Sequence, residues 1–193
     1  MNSACYQRPH KPLCTSRRAL DLADLEAGGA APSRPFRPPV TVPAHLECHV
    51  TPPDVAARMA ARLPDRDALD VLEPSAGTGA ILRAIREARP LARVQAVEVF
   101  RPLWERLTEE GHAATWADFD EWATETPLRF DAVVMNPPFR RARAHVAAAK
   151  RLLRPGGLLI ALVPVTFPLG FELERLGPDT FAAARVVTKI VEL

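Results

Sequence analysis

The chain reads as an α/β protein with a parallel sheet, and three observations carry that reading. From residue 68 onward, apolar runs of strand length alternate with helix-length stretches, the order that builds parallel sheets. One such run, residues 68–72, ends in the small-residue loop Glu73-Pro74-Ser75-Ala76-Gly77-Thr78-Gly79. Another, residues 130–135, ends in Asn136-Pro137-Pro138-Phe139. Composition agrees, because 193 residues suffice for one domain with a core, and 48% hydrophobic with 25% charged residues are ordinary globular values. The formal charge of +2 is too small to demonstrate a polyanionic partner. No apolar stretch is long enough to span a membrane and no signal peptide is visible. Cys5, Cys14 and Cys48 are scattered and odd in number, which suits a reducing cytoplasm. Cys5, His10 and Cys14 lack a fourth zinc ligand and read as free thiols.

Taken in order, residues 1–40 form a Pro- and Arg-rich stretch with little periodicity apart from a short helical pattern at 17–26. We expect a flexible N-terminal extension there, with the folded domain occupying 41–193. Thr51-Pro52-Pro53-Asp54 opens a helix that runs to Leu63, with Thr51 as N-cap and Pro52 at the first helical position. The first strand, 68–72, is followed by a helix over 79–88, and the second strand spans 93–99. A helix over 102–110 leads to a short third strand at 112–115 and then an acidic, tryptophan-containing stretch, 116–122. The fourth strand is 130–135. A helix over 144–153 stops at Arg154-Pro155-Gly156-Gly157, and 158–163 is the fifth strand. Residues 181–193 supply at most one further strand, so a terminal hairpin would be shortened.

The strand end at Asn136 suits a planar group carrying an NH2. The amide oxygen of Asn136 and the carbonyl of Pro137 can both accept from the amine, and neither Pro137 nor Pro138 has an N–H to compete. Phe139 can stack on the plane. Upstream, Gly77 and Gly79 let the backbone turn and approach a ligand closely. Leu82 stands where a dinucleotide fingerprint would place its third glycine, and the Gly-Lys-Ser/Thr of a phosphate loop is missing. That disfavours a nicotinamide-dependent oxidoreductase and suits a nucleoside ligand without a pyrophosphate, such as S-adenosylmethionine (SAM). Glu98, near the end of an otherwise apolar run, can accept hydrogen bonds from vicinal ribose hydroxyls; a solvated strand end is the alternative.

These two motifs together, over residues 45–193, resemble the class I SAM-dependent methyltransferases of the amino-methylating type, in particular the N6-adenine DNA methyltransferases. The resemblance implies a doubly wound, mostly parallel Rossmann-like methyltransferase sheet with SAM across the carboxyl ends of its strands. It implies cofactor-binding roles for Thr51, Pro52, Glu73, Ser75, Ala76, Gly77, Gly79, Glu98, Asp118 and Phe119, and catalytic roles for Asn136, Pro137, Pro138 and Phe139. Thr51-Pro52 would meet the methionine carboxylate, and Asp118 with Phe119 the adenine of SAM. Asp120 can substitute for Asp118, and an acidic surface loop is the bland alternative. The implied reaction is direct methyl transfer to an exocyclic amine, with adenine N6 in DNA as the leading target. RNA adenine, a protein glutamine amide, or a SAM-binding module dependent on a partner subunit stay open. Arg140, Arg141, Arg143 and His145 are candidates for phosphates beside the target base. The DNA enzymes usually add a target-recognition domain, so specificity is expected from the N-terminal stretch, the loop after Phe139, residues 164–180 or a partner.

Overall fold

The computed structural model describes residues 6–8, 11–12, 39–66, 68–181 and 186–193. The thiols and imidazole of Cys5, His10 and Cys14, and the helical pattern at 17–26, lie outside the described residues. A small sheet pairs β1 (Tyr6–Arg8) with β2 (Lys11–Pro12) antiparallel and with β3 (Val40–Thr41) in parallel.

The main sheet holds seven strands: β4 (Asp70–Glu73), β5 (Arg93–Glu98), β6 (Ala114–Trp116), β7 (Phe130–Met135), β8 (Leu153–Pro164), β9 (Phe171–Leu176) and β10 (Thr188–Glu192). Their order is β6-β5-β4-β7-β8-β10-β9. Strands β4 to β8 pair in parallel, and β10 lies antiparallel between β8 and β9. The chain winds outward from β4 through β5 to β6, then returns to β7 on the other side of β4. The order therefore reverses between β4 and β7, and open α/β sheets bind ligands at the carboxyl ends of such a switch point. Both informative motifs leave the sheet there.

Helices on both faces explain why the central strands are continuously apolar rather than alternating. Val71, Ala132, Val134, Ile160 and Leu162 face Val55, Met59, Ile81 and Ile85 of helices Pro53–Ala60 and Ala80–Ala88. Their neighbours Leu72, Val133, Met135, Leu159 and Ala161 face Phe119, Val146 and Ala149 of helices Phe119–Glu125 and Ala142–Arg151. Each large side chain buried in this way contributes roughly 1.5–3 kcal/mol.

Four expectations change. The terminal hairpin is complete, because Phe171–Leu176 forms a strand that 164–180 was not expected to contain. Its Glu and Arg side chains and its 75% exposed Phe171 mark an edge strand, whose sequence lacks the apolar signature of the buried ones. Helix Phe119–Glu125 replaces the acidic loop, since the Asp118 carboxylate caps it by accepting the Asp120 N–H at 2.8 Å. Strand β8 begins at Leu153, so Pro155-Gly156-Gly157 is an irregularity inside a strand rather than the turn before one. Pro52, not Thr51, caps the first helix, which ends at Ala60; the Thr51 hydroxyl is engaged elsewhere.

Candidate functional site

A cleft of about 920 Å³, counting its open mouth, lies across the carboxyl ends of β4, β5 and β7. Of the cofactor and catalytic candidates, Thr51, Ser75, Ala76, Gly77, Glu98, Asp118, Phe119, Asn136 and Pro138 line it, as do Arg141 and His145 of the phosphate candidates. Pro52, Glu73, Gly79, Pro137 and Phe139 do not, and stand behind the lining.

The glycine loop shapes one wall. Gly77 has φ +53°, and a Cβ there would lie 3.6 Å from Cys48 Sγ, on the side where another chain segment passes. Gly79 works for the fold instead. It caps helix Ala80–Ala88 at φ +78°, and a Cβ on it would sit 2.8 Å from Leu107 Cδ2. The Glu98 carboxylate ties the loop to β5: one oxygen accepts the Gly77 N–H at 2.7 Å and the other the Phe100 N–H at 2.8 Å. Only 7% exposed, Glu98 has its pKa raised by burial against the opposing pull of those N–H groups. The carboxylate can still accept from a further donor. Glu73 is enclosed completely. Burial pushes its carboxyl well above the usual range, its Oε1 accepts the Ser75 N–H at 3.1 Å, and its Oε2 has no partner.

Asp118 is held twice, by capping its helix and by the Arg141 guanidinium at 2.9 Å. Burial pushes its carboxyl up, but Arg141 and the Asp120 N–H outweigh that and hold it below the ordinary value. Arg141 also pairs with Asp120. Arg141 is thus turned toward the acidic cluster, and His145 is 4% exposed, so neither stands as a free phosphate contact. His145 Nδ1 lies 3.5 Å from Ser75 Oγ, its ring meets Phe119 edge-on, and burial lowers its pKa against the opposing pull of Asp120.

Asn136 closes the cleft at the end of β7. Its Nδ2 donates to the His49 carbonyl at 2.9 Å and to Thr51 Oγ1 at 3.0 Å. With both donors used on acceptors, the other arm is oxygen, and that Oδ1 is buried without a hydrogen-bond partner. Phe139 stacks on His49, with centroids 4.7 Å apart and planes at 25°, and meets Phe181 edge-on at 6.2 Å.

Sequence reasoning missed the segment that roofs the cleft. Val42 and His45 to Val50 line it, after a short 3₁₀ turn at Ala44–Leu46. Glu47 anchors this segment to the turn after Asn136: its carboxylate takes the Arg140 N–H at 3.0 Å and the Arg140 side chain at 3.1 Å. Nothing periodic marks these residues, and their partners are some ninety positions away. The one local signal was an acidic side chain among apolar ones.

A family profile described as methyltransferase small domain matches residues 52–175. The chain is 25% identical to the tRNA1(Val) (adenine(37)-N6)-methyltransferase of Flavobacterium psychrophilum, over 54% of this chain and 60% of that protein. It thus spans less than two thirds of that relative's length. Among solved structures, a dimethyladenosine transferase from Plasmodium falciparum aligns with a TM-score of 0.57 at 16% identity, covering 76% of this chain and 62% of that one. A candidate RNA methyltransferase from Pyrococcus horikoshii aligns at 0.55 and 19% identity over 92% and 96% of the two chains. At such identities the structural likeness establishes the fold.

Proposed function

We propose, from the premise that this chain belongs to the methyltransferase small domain family, that it methylates the exocyclic N6 amine of adenine in an RNA. S-adenosylmethionine is the methyl donor, and it supplies an electrophilic methyl group on a positively charged sulfur. The cleft has the groups to hold it. Gly77 gives a wall without a Cβ, and Glu98 offers a buried carboxylate where ribose hydroxyls would come. Phe119 and Asp118 flank the place for the adenine ring, and Thr51 lies near the start of helix Pro53–Ala60, where a carboxylate is favoured.

One observation carries the amine: the partnerless, buried Oδ1 of Asn136. A buried acceptor left unsatisfied costs about 1–3 kcal/mol, which an N–H from the substrate would recover. We assign the second acceptor to the Pro137 carbonyl by its place next to Asn136, since Pro137 itself does not line the cleft. An aromatic amine is a poor nucleophile because its lone pair is delocalised into the ring. Two hydrogen bonds, one to Asn136 and one to Pro137, favour a pyramidal nitrogen and aim the freed lone pair at the donor site. Positioning and fixed dipoles then do most of the catalysis, and the extra proton leaves to solvent after transfer.

Adenine in RNA, rather than in DNA as the sequence first suggested, is supported by the Flavobacterium relative, whose name specifies N6 of a tRNA adenine. The test is to incubate the protein with methyl-labelled donor and either unmethylated total tRNA or unmethylated duplex DNA, then digest both to nucleosides. Label in N6-methyladenosine from the RNA arm is the expected result. Label in the DNA arm alone would return the reading to DNA, and label in neither arm would overturn adenine as the target.

A further inference from the structure

The imidazole of His49 lies face to face with Phe139, at 4.7 Å and 25°. His49 lines the cleft and Phe139 does not, so the imidazole stands between the Phe139 ring and the open space. Phe181, its ring 5.9 Å from His49 and 6.2 Å from Phe139, closes a third side. The Asn136 amide reaches the same segment, its Nδ2 donating to the His49 carbonyl at 2.9 Å while its Oδ1 is buried without a partner. A base whose amine reaches that oxygen, and whose plane stacks on Phe139, needs the volume that the imidazole now fills.

We propose that His49 is an acceptor-site residue: its imidazole keeps the place of the target base on Phe139 and swings out when the base enters. The inference rests on the reading of Asn136 as the amine acceptor. It deepens that reading, because a site kept open by a stacked ring selects a flat heteroaromatic base over the side-chain amide of a protein. The His49 main chain stays in place throughout, since its carbonyl holds Asn136 in the orientation that exposes Oδ1 to the amine.

Apart from the carbonyl anchored on Asn136, the segment carrying His49 packs outside the central cores. Its apolar residues Val42, Leu46 and Val50 pack with Leu103 in a cluster separate from the two central cores. Its latch is the pair of Glu47 with Arg140, whose side chain is 86% exposed. Only the Arg140 end of the pair is open to solvent; the Glu47 carboxylate is 18% exposed and also takes the Arg140 N–H at 3.0 Å. Glu47 itself sits at φ +46°, a left-handed conformation that side chains other than glycine adopt at a cost.

Two readouts test the proposal. The ring-proton resonances of His49, identified by their loss in His49→Ala, should be displaced by the ring current of Phe139 and should relax on adding adenosine. Propionamide, a stand-in for a glutamine side chain, should leave them unmoved. In turnover, His49→Ala removes the competing ring and should lower KM for RNA about two- to tenfold, the span expected for one aromatic pair. His49→Phe strengthens the plug and should raise KM. A merely structural role would depress kcat in both variants and would not send KM in opposite directions. Resonances indifferent to adenosine, or KM values unchanged or moving the same way in both variants, overturn the proposal. The resonance experiment needs no turnover, so it decides the role of His49 even if no methylated adenine is formed, an outcome that would sink the underlying reading instead.

Discussion

Asn136 and Glu98 show how single side chains serve two ends at once. Asn136 ends a buried strand, spends its amide hydrogens on the roof segment, and is left with one buried oxygen without a partner, the proposed acceptor for the amine. Glu98 ties the glycine loop to β5 and lines the cleft. Its raised pKa has a consequence for the donor. In the proposed role the ionised form accepts the ribose hydrogen bonds, so SAM affinity should begin to fall with decreasing pH earlier than an ordinary glutamate would dictate. Equilibrium titration of SAM across pH in wild type and Glu98→Gln checks this. The wild type should show the pH-dependent loss and the variant a weaker but pH-flat affinity. A flat wild-type profile would remove Glu98 from the binding account.

At the scale of elements, the glycine loop and the strand-ending turn do different mechanical work. Gly79 starts a helix in a conformation with φ +78° and leaves no room beside Leu107. Gly79→Ala should therefore destabilise the fold by about 1–3 kcal/mol, read as a lowered urea midpoint. Donor affinity measured well below that midpoint should change little, because Gly79 does not line the cleft. Elements whose signals are local were legible in the sequence. The strand read at 68–72 and found at Asp70–Glu73, the strand at 130–135, the loop between Glu73 and Gly79, and the Asn-Pro-Pro-Phe turn carry their reasons in adjacent residues. Elements defined by distant partners were not. Thr51 reads as a helix cap until Asn136, 85 positions away, claims its hydroxyl. The 171–176 strand alternates charged and apolar residues at an exposed edge, and only its pairing with Thr188–Glu192 makes it a strand. The roof segment, 42–50, has no periodicity at all, and its fold follows from Glu47, His49 and the turn they meet.

Across the whole molecule, the two ends of the sheet have divided their labour. The carboxyl end holds the cleft and its partnerless polar atoms. The amino end is bound by ions: Asp70 takes Arg93 at 2.6 Å and Arg154 at 2.7 Å, while Asp131 takes Arg66 and Arg154, each at 2.7 Å. Arg93 and Arg154 hold the Asp70 carboxyl down to about 2. Because that pKa is lowered in the folded state, its stabilisation is complete above the unfolded value of about 3.9 and is lost as pH falls toward 2. Arg154→Met should thus lower the thermal midpoint at pH 7, and the gap to wild type should narrow between pH 4 and pH 2. An undiminished gap at low pH would mean that Arg154 stabilises by packing rather than charge.

The direct test of the account is a paired measurement on Asn136→Ala: the methyl-transfer rate to RNA and the affinity for SAM in the same preparation. Loss of one preorganised polar contact at the reacting group should cost about a hundredfold or more in rate. The donor, held by the loop and by Glu98, should bind within a few-fold of wild type. A variant that still transfers methyl groups at a rate near wild type would contradict the claim that the strand-ending amide holds the amine.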